Sequence, residues 1–91
     1  MLNNMLPLGS VITLDGASKK LMIVGVMLQN EEDHKVYDYL GLPYPEGYVD
    51  DETLFLFMEK DIKEVHFVGY MDAETQLFRA EIQKNLEKEN Q

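Results

Sequence analysis

Leu21-Met22-Ile23-Val24-Gly25-Val26-Met27-Leu28 is the longest apolar run in the chain, and its reading decides the fold. Eight residues fall far short of the ~20 that span a bilayer, so the run is not a transmembrane helix. As a strand it places Leu21, Ile23 and Met27 on one face and Met22, Val24, Val26 and Leu28 on the other, because side chains alternate across a strand. Both faces are apolar and both need cover. That predicts a central position in a curled sheet, or between a sheet and a helix. Gly25 marks a bend or a close backbone approach.

Upstream, Pro7 and Gly9 precede the β-branched run Val11-Ile12-Thr13-Leu14, and Asp15-Gly16-Ala17-Ser18 supplies turn residues before Lys19 and Lys20. The two runs therefore form a hairpin with a loop of about four residues. Downstream, Gln29 to His34 is a polar loop and Lys35 to Leu40 a strand, with Val36 and Leu40 facing one way and Tyr37 and Tyr39 the other. Residues 41–48 hold two prolines and two glycines, which excludes a central strand or a helix and predicts an ordered loop or edge segment. Thr53 to Met58 reads as a strand, Glu59 to Ile62 as one helical turn, and Lys63 to Tyr70 as the last strand, with Val65 and Phe67 on one face and Glu64, His66 and Val68 on the other.

Asp72 can cap a helix, and Glu74 suits the positive end of its dipole. The helix is predicted from Ala73 to about Lys88. Phe78, Ile82 and Leu86 recur at four-residue spacing as a narrow apolar stripe, with Leu77 and Ala80 beside it and Glu81, Gln83, Lys84 and Glu87 on the wet side. The helix closes the sheet in this reading. The fold class is α+β, a small strongly curved antiparallel sheet of about five strands, open or barrel-like, with one C-terminal helix. Ninety-one residues leave room for one domain, residues 1–91, with 1–5 and 89–91 expected as flexible ends.

Eight basic residues against 17 acidic ones give a net charge of −9, which opposes binding to nucleic acid or anionic lipid. The acidity belongs to residues 29–91, since Asp15, Lys19 and Lys20 are the only Asp, Glu, Lys or Arg before them. No Cys is present, which removes disulfides, thiolate metal sites and Cys nucleophiles together. Met1 to Leu6 lacks a basic flank and Pro7 interrupts its apolar run, so no signal peptide is visible and residence in the cytoplasm is expected.

A catalytic centre lacks ingredients. There are two histidines, and the only serines, Ser10 and Ser18, stand in turn-like sequence, leaving almost nothing for a nucleophile–base pair. His34 with Glu32, Asp33 and Asp38 could supply oxygen and imidazole ligands, but loop carboxylates beside one His are ordinary surface features. His66 reads as structural or solvent-facing. Asp50-Asp51-Glu52 lacks the alternating ligands and glycine of a calcium loop, and no glycine-rich phosphate cradle occurs. The expectation is a non-enzyme with no cofactor, no catalytic residue and no metal.

Tyr37, Tyr39, Tyr44 and Tyr48 lie within twelve residues around Pro43 and Pro45. Tyrosine supplies large rigid contact area plus a hydroxyl, so these four are the candidate partner-binding residues. The alternative reading is that the rings cover a sheet edge.

Leu6-Pro7-Leu8-Gly9-Ser10-Val11, Lys19-Lys20-Leu21-Met22-Ile23-Val24-Gly25, Tyr37-Asp38-Tyr39, Tyr44-Pro45-Glu46-Gly47 and Asp61-Ile62-Lys63-Glu64-Val65-His66-Phe67-Val68-Gly69-Tyr70 occur in that order. Together they resemble a family of small acidic proteins of Gram-positive bacteria, a domain-of-unknown-function family typically encoded beside LXG toxins and WXG-like helical partners of type VII secretion. The resemblance spans about residues 6–80. It implies an accessory role: an adaptor or targeting chaperone that binds the N-terminal helical region of an LXG toxin in the cytoplasm before export. It carries no catalytic residue, and it reads Gly9 and Gly25 as backbone positions and Leu21, Ile23, Val65 and Phe67 as core. The rival reading is an immunity protein that neutralises a toxin catalytic domain, with the −9 charge complementing a basic nuclease.

Overall fold

The computed structural model describes residues 5–89, with side chains through Asn85. Its elements run in the order β1 (Val11–Leu14), β2 (Leu21–Gln29), β3 (Val36–Pro43), β4 (Phe55–Phe57), β5 (Ile62–Phe67) and α1 (Ala73–Glu89), with single 3-10 turns at Asp51–Thr53 and Glu59–Asp61. The strands form one antiparallel sheet in the order β4-β3-β2-β1-β5. The apolar run Leu21–Leu28 is therefore the central strand, as its two apolar faces require.

The sheet is open, which corrects the expectation of a strongly curved sheet and rules out its barrel-like form. Closure needs the first and last strands to share a ladder. Here β4 and β5 are the two edges, and β4 is only three residues long. A second correction concerns the start of residues 41–48. Gly41, Leu42 and Pro43 belong to β3, and Gly41 lies inside the sheet, paired with Ile23 on one side and Phe55 on the other, while Leu42 and Pro43 pair with β2 alone, as an edge segment. Pro43 is tolerated because it lies beyond the last β4 pair, so no ladder on that side asks it for an N–H. Gly41 has a separate reason to be glycine. A Cβ there would stand 2.9 Å from the Phe57 ring and 3.3 Å from Leu21 Cβ.

One face of the sheet carries the core. Ile12, Leu21, Ile23, Tyr39 and Phe57 are buried there together with Met5, and Leu14, Val26, Met27, Ile62 and Ile82 pack against them. Strict alternation puts Val26 on the opposite face, but the register slips between Ile23 and Gly25. The extra residue of a β-bulge reverses the phase of the residues beyond it, so Val26 pairs with Tyr39 and joins the core. The expected close approach at Gly25 is present, with Leu28 Cδ1 at 3.0 Å and Leu40 Cβ at 3.4 Å from the position of a Cβ.

Helix α1 begins where expected. The Asp72 carboxylate accepts from the Thr75 amide at 3.0 Å and from its hydroxyl at 3.1 Å, satisfying the first turn. Its contact with the sheet is narrower than the stripe predicts. Ile82 packs on the core, whereas Phe78 is 51% exposed and Leu77 71%, and the side chain of Leu86 lies outside the described residues. Among the described residues no helix is long and apolar enough to cross a membrane.

The N-terminal segment covers the core where the helix does not. Met5 is buried, although the sequence places it in a flexible end; residues 1–4, 90 and 91 of those ends lie outside the described residues. Val65 and Phe67, expected in the core, are exposed on edge strand β5. An edge strand is flanked on one side only, and neither Val65 nor Phe67 reaches the Met5–Tyr39 cluster.

Candidate partner-binding surface

The structure separates the four tyrosines. Tyr39 is fully buried, its ring 5.5 Å from that of Phe57, so it is a core residue and offers no contact to a partner. Burial, together with the neighbouring Glu59 carboxylate, pushes its phenol well above the ordinary range. Tyr37 is half-buried, and its hydroxyl donates to Asp33 at 2.9 Å in the β2–β3 loop. Tyr48 is exposed and its hydroxyl donates to Asp51. In both cases the hydrogen bond to a carboxylate raises the phenol pKa. Tyr44 stands apart from the others at the end of β3, where its amide donates to the Lys20 carbonyl at 2.9 Å.

Tyr44 forms a wall of a groove of about 520 Å³ on the sheet face opposite the core. The floor is Val11, Met22 and Phe67, which stand in register on β1, β2 and β5. Residues directly opposite one another in an antiparallel sheet share a face. Gly9, Lys20 and His66 complete the lining. The register slips between Val11 and Ile12, where β5 contributes one extra residue, His66. The bulge turns His66 toward Thr13, with Nε2 3.4 Å from Oγ1.

A second depression, about 380 Å³, lies where α1 crosses the N-terminal segment. Leu6, Leu8, Val26, Tyr70 and Phe78 give it apolar walls, and Asp72 and Glu74 line it as well. Leu8, Tyr70 and Phe78 are exposed around it.

The remaining candidates are engaged elsewhere. Asp33 accepts from the Lys35 amide at 2.9 Å, the main cause of its lowered pKa, and Asp38 accepts from the Glu59 amide at 2.8 Å. Neither carboxylate gathers with His34, and among the described residues no group of three or more His, Cys, Asp or Glu side chains is placed to hold a metal. Asp50 caps the 3-10 turn next to it, accepting from the Glu52 amide at 3.0 Å.

Met22 and Phe67 escaped sequence reasoning as groove residues because Met22 sits in an apolar strand and Phe67 shares with Val65 the apolar face of an alternating one, and both patterns read as core. Their register with Val11 is a long-range property with no local signal. Tyr44 is a sequence candidate that the structure brings into a groove.

The chain matches the family described as "Domain of unknown function (DUF4176)" over residues 5–78, most of its length, and it belongs to that family. No curated protein and no solved structure matches it.

Proposed function

We propose that this member of the DUF4176 family is a non-enzymatic adaptor that binds an LXG toxin of type VII secretion in the cytoplasm before export. The observation that carries the binding role is the apolar groove of Val11, Met22, Tyr44 and Phe67 on the sheet face that α1 leaves bare. Phe67 is 61% exposed and Tyr44 44%, and large aromatic side chains held on a rigid sheet are the residue types that dominate protein interfaces. The choice of toxin as partner rests on the resemblance of the ordered sequence motifs, and it favours the toxin's N-terminal helical region, with WXG-like proteins in the same complex.

Co-expression with separate halves of a toxin encoded beside the gene tests this. The N-terminal helical half should co-purify with the chain and the catalytic half should not. Retention of the catalytic half alone would replace the adaptor by an immunity protein. Tyr44→Ala and Phe67→Ala should each weaken the complex by about 1 kcal/mol or more with little change in melting temperature.

A further inference from the structure

The groove on the bare sheet face differs in charge from the molecule that carries it. The chain has a net charge of −9, yet among the described residues no carboxylate lines this groove, and its ionisable side chains besides Tyr44 are Lys20 and His66. The ammonium of Lys20 makes no hydrogen bond or ion pair with another described residue, while its neighbour Lys19 is neutralised by Glu46 at 2.7 Å. Glu64 lies further along β5 opposite Thr13, outside the lining. The other depression mixes both signs, with Asp72, Glu74 and Arg79 among its walls.

We infer that the groove of Val11, Met22, Tyr44 and Phe67 receives an amphipathic helix of a partner protein whose apolar stripe is flanked by carboxylates. The shape argument comes from layering. An antiparallel sheet can leave one polar face in water, but a face that carries Met22 and the exposed Phe67 presents apolar surface, and a helix laid across it would supply the layer that buries it. The charge argument comes from the rim. Lys20 and the imidazole N–H of His66 offer donors to carboxylates, and charge-assisted hydrogen bonds of this kind fix orientation and register. The inference deepens the adaptor reading and rests on it for the source of the helix.

The total charge and the local rim make opposite forecasts, which gives the test its edge. Two labelled synthetic helices share one leucine stripe, flanked by glutamates in one and by lysines in the other, and their binding to the full chain is followed by fluorescence anisotropy. At 0.15 M salt the Debye length is about 8 Å, so distant carboxylates are screened while the rim is not. The glutamate helix should bind at least ~10-fold more tightly than the lysine helix, a difference of about 1.4 kcal/mol. Lys20→Glu should abolish or reverse that preference, and Phe67→Ser should weaken both helices. Both residues are exposed, and unchanged melting temperatures would show that the variants are folded.

Equal or tighter binding of the lysine helix, no binding of either, or a glutamate-helix affinity untouched by Lys20→Glu would overturn the inference. So would a dimer in sedimentation that Phe67→Ser dissociates, because the occupant would then be a second copy of the chain. The adaptor reading fails separately. If the glutamate helix binds as expected but no toxin fragment co-purifies, the groove chemistry stands and the toxin assignment falls; if a toxin fragment is held while the lysine helix wins, the reverse holds.

Discussion

The hydroxyl of Tyr39 donates to the Glu59 carboxylate at 2.9 Å, tying the interior of the sheet to the turn before β5. The same oxygen accepts the Leu6 amide at 2.9 Å, so one phenol joins three segments far apart in the chain. Tyr39→Phe should keep the ring packing against Phe57 but strand the Leu6 amide and one acceptor. The loss should be about 1–3 kcal/mol in denaturant unfolding, the range for a buried polar group deprived of its partner. A variant as stable as wild type would show that water replaces the phenol.

The same residue sets an alkaline limit. Burial first, and then the Glu59 carboxylate, hold the Tyr39 phenol protonated well above its ordinary value of 10, with the Leu6 amide working the other way. The unfolded chain releases this proton near pH 10 and the native chain retains it, so the stabilisation is complete below pH 10 and is lost as pH rises above it. Unfolding followed by circular dichroism between neutral pH and pH 11 should show a stability loss that is smaller in Tyr39→Phe. A residual slope remains from Tyr37 and Tyr48, whose phenols are also held protonated.

Ser10 and Gly69 form the clasp between the N-terminal segment and the chain leaving β5. The buried Ser10 hydroxyl donates to the Pro7 carbonyl at 2.8 Å and accepts the Gly69 amide at 3.0 Å. A Cβ on Gly69 would overlap the Leu8 carbonyl and stand 3.0 Å from the Ser10 nitrogen. Gly69→Ala should therefore lower the melting temperature more than Ser10→Ala, which removes two hydrogen bonds at about 1 kcal/mol each but adds no clash. Equal effects would mean that the backbone yields there.

Among the described side chains of α1, helix docking depends on Ile82 more than on its neighbours. Ile82 is half-buried against the core, so Ile82→Asp brings an unpaired charge to that contact and should destabilise by several kcal/mol. Leu77→Asp, on a side chain that is 71% exposed, should be nearly silent in the same melts. Identical melting temperatures for Ile82→Asp and wild type would show that α1 contributes nothing to the sheet's stability.

Tyr44 and Tyr48 separate groove from loop. Both are exposed, but only Tyr44 lines the groove, while Tyr48 is bonded within its own loop to Asp51. Toxin-fragment affinity measured by calorimetry should fall on Tyr44→Ala, by about 1 kcal/mol or more, and change little on Tyr48→Ala. The opposite ranking would move the interface to the loop.

The sequence alone determined the elements and the centre of the sheet. Two apolar faces made Leu21–Leu28 a central strand, Asp72 marked the start of α1, and Pro7, Gly9 and Gly16 punctuated the first hairpin. These are local signals, written in propensity, period and capping chemistry within a few residues. Tertiary structure alone decided the rest. The slip at Val24 turned Val26 inward, the lack of pairing between β4 and β5 left the sheet open, pairing on both sides admitted Gly41 to its interior, and edge position exposed Val65 and Phe67. The tyrosines show the same division: four similar residues in one short stretch became one core residue, two loop-bonded residues and one groove wall. Which face a side chain meets depends on register with strands dozens of residues away, and register is settled by the total area buried when all the strands pair at once.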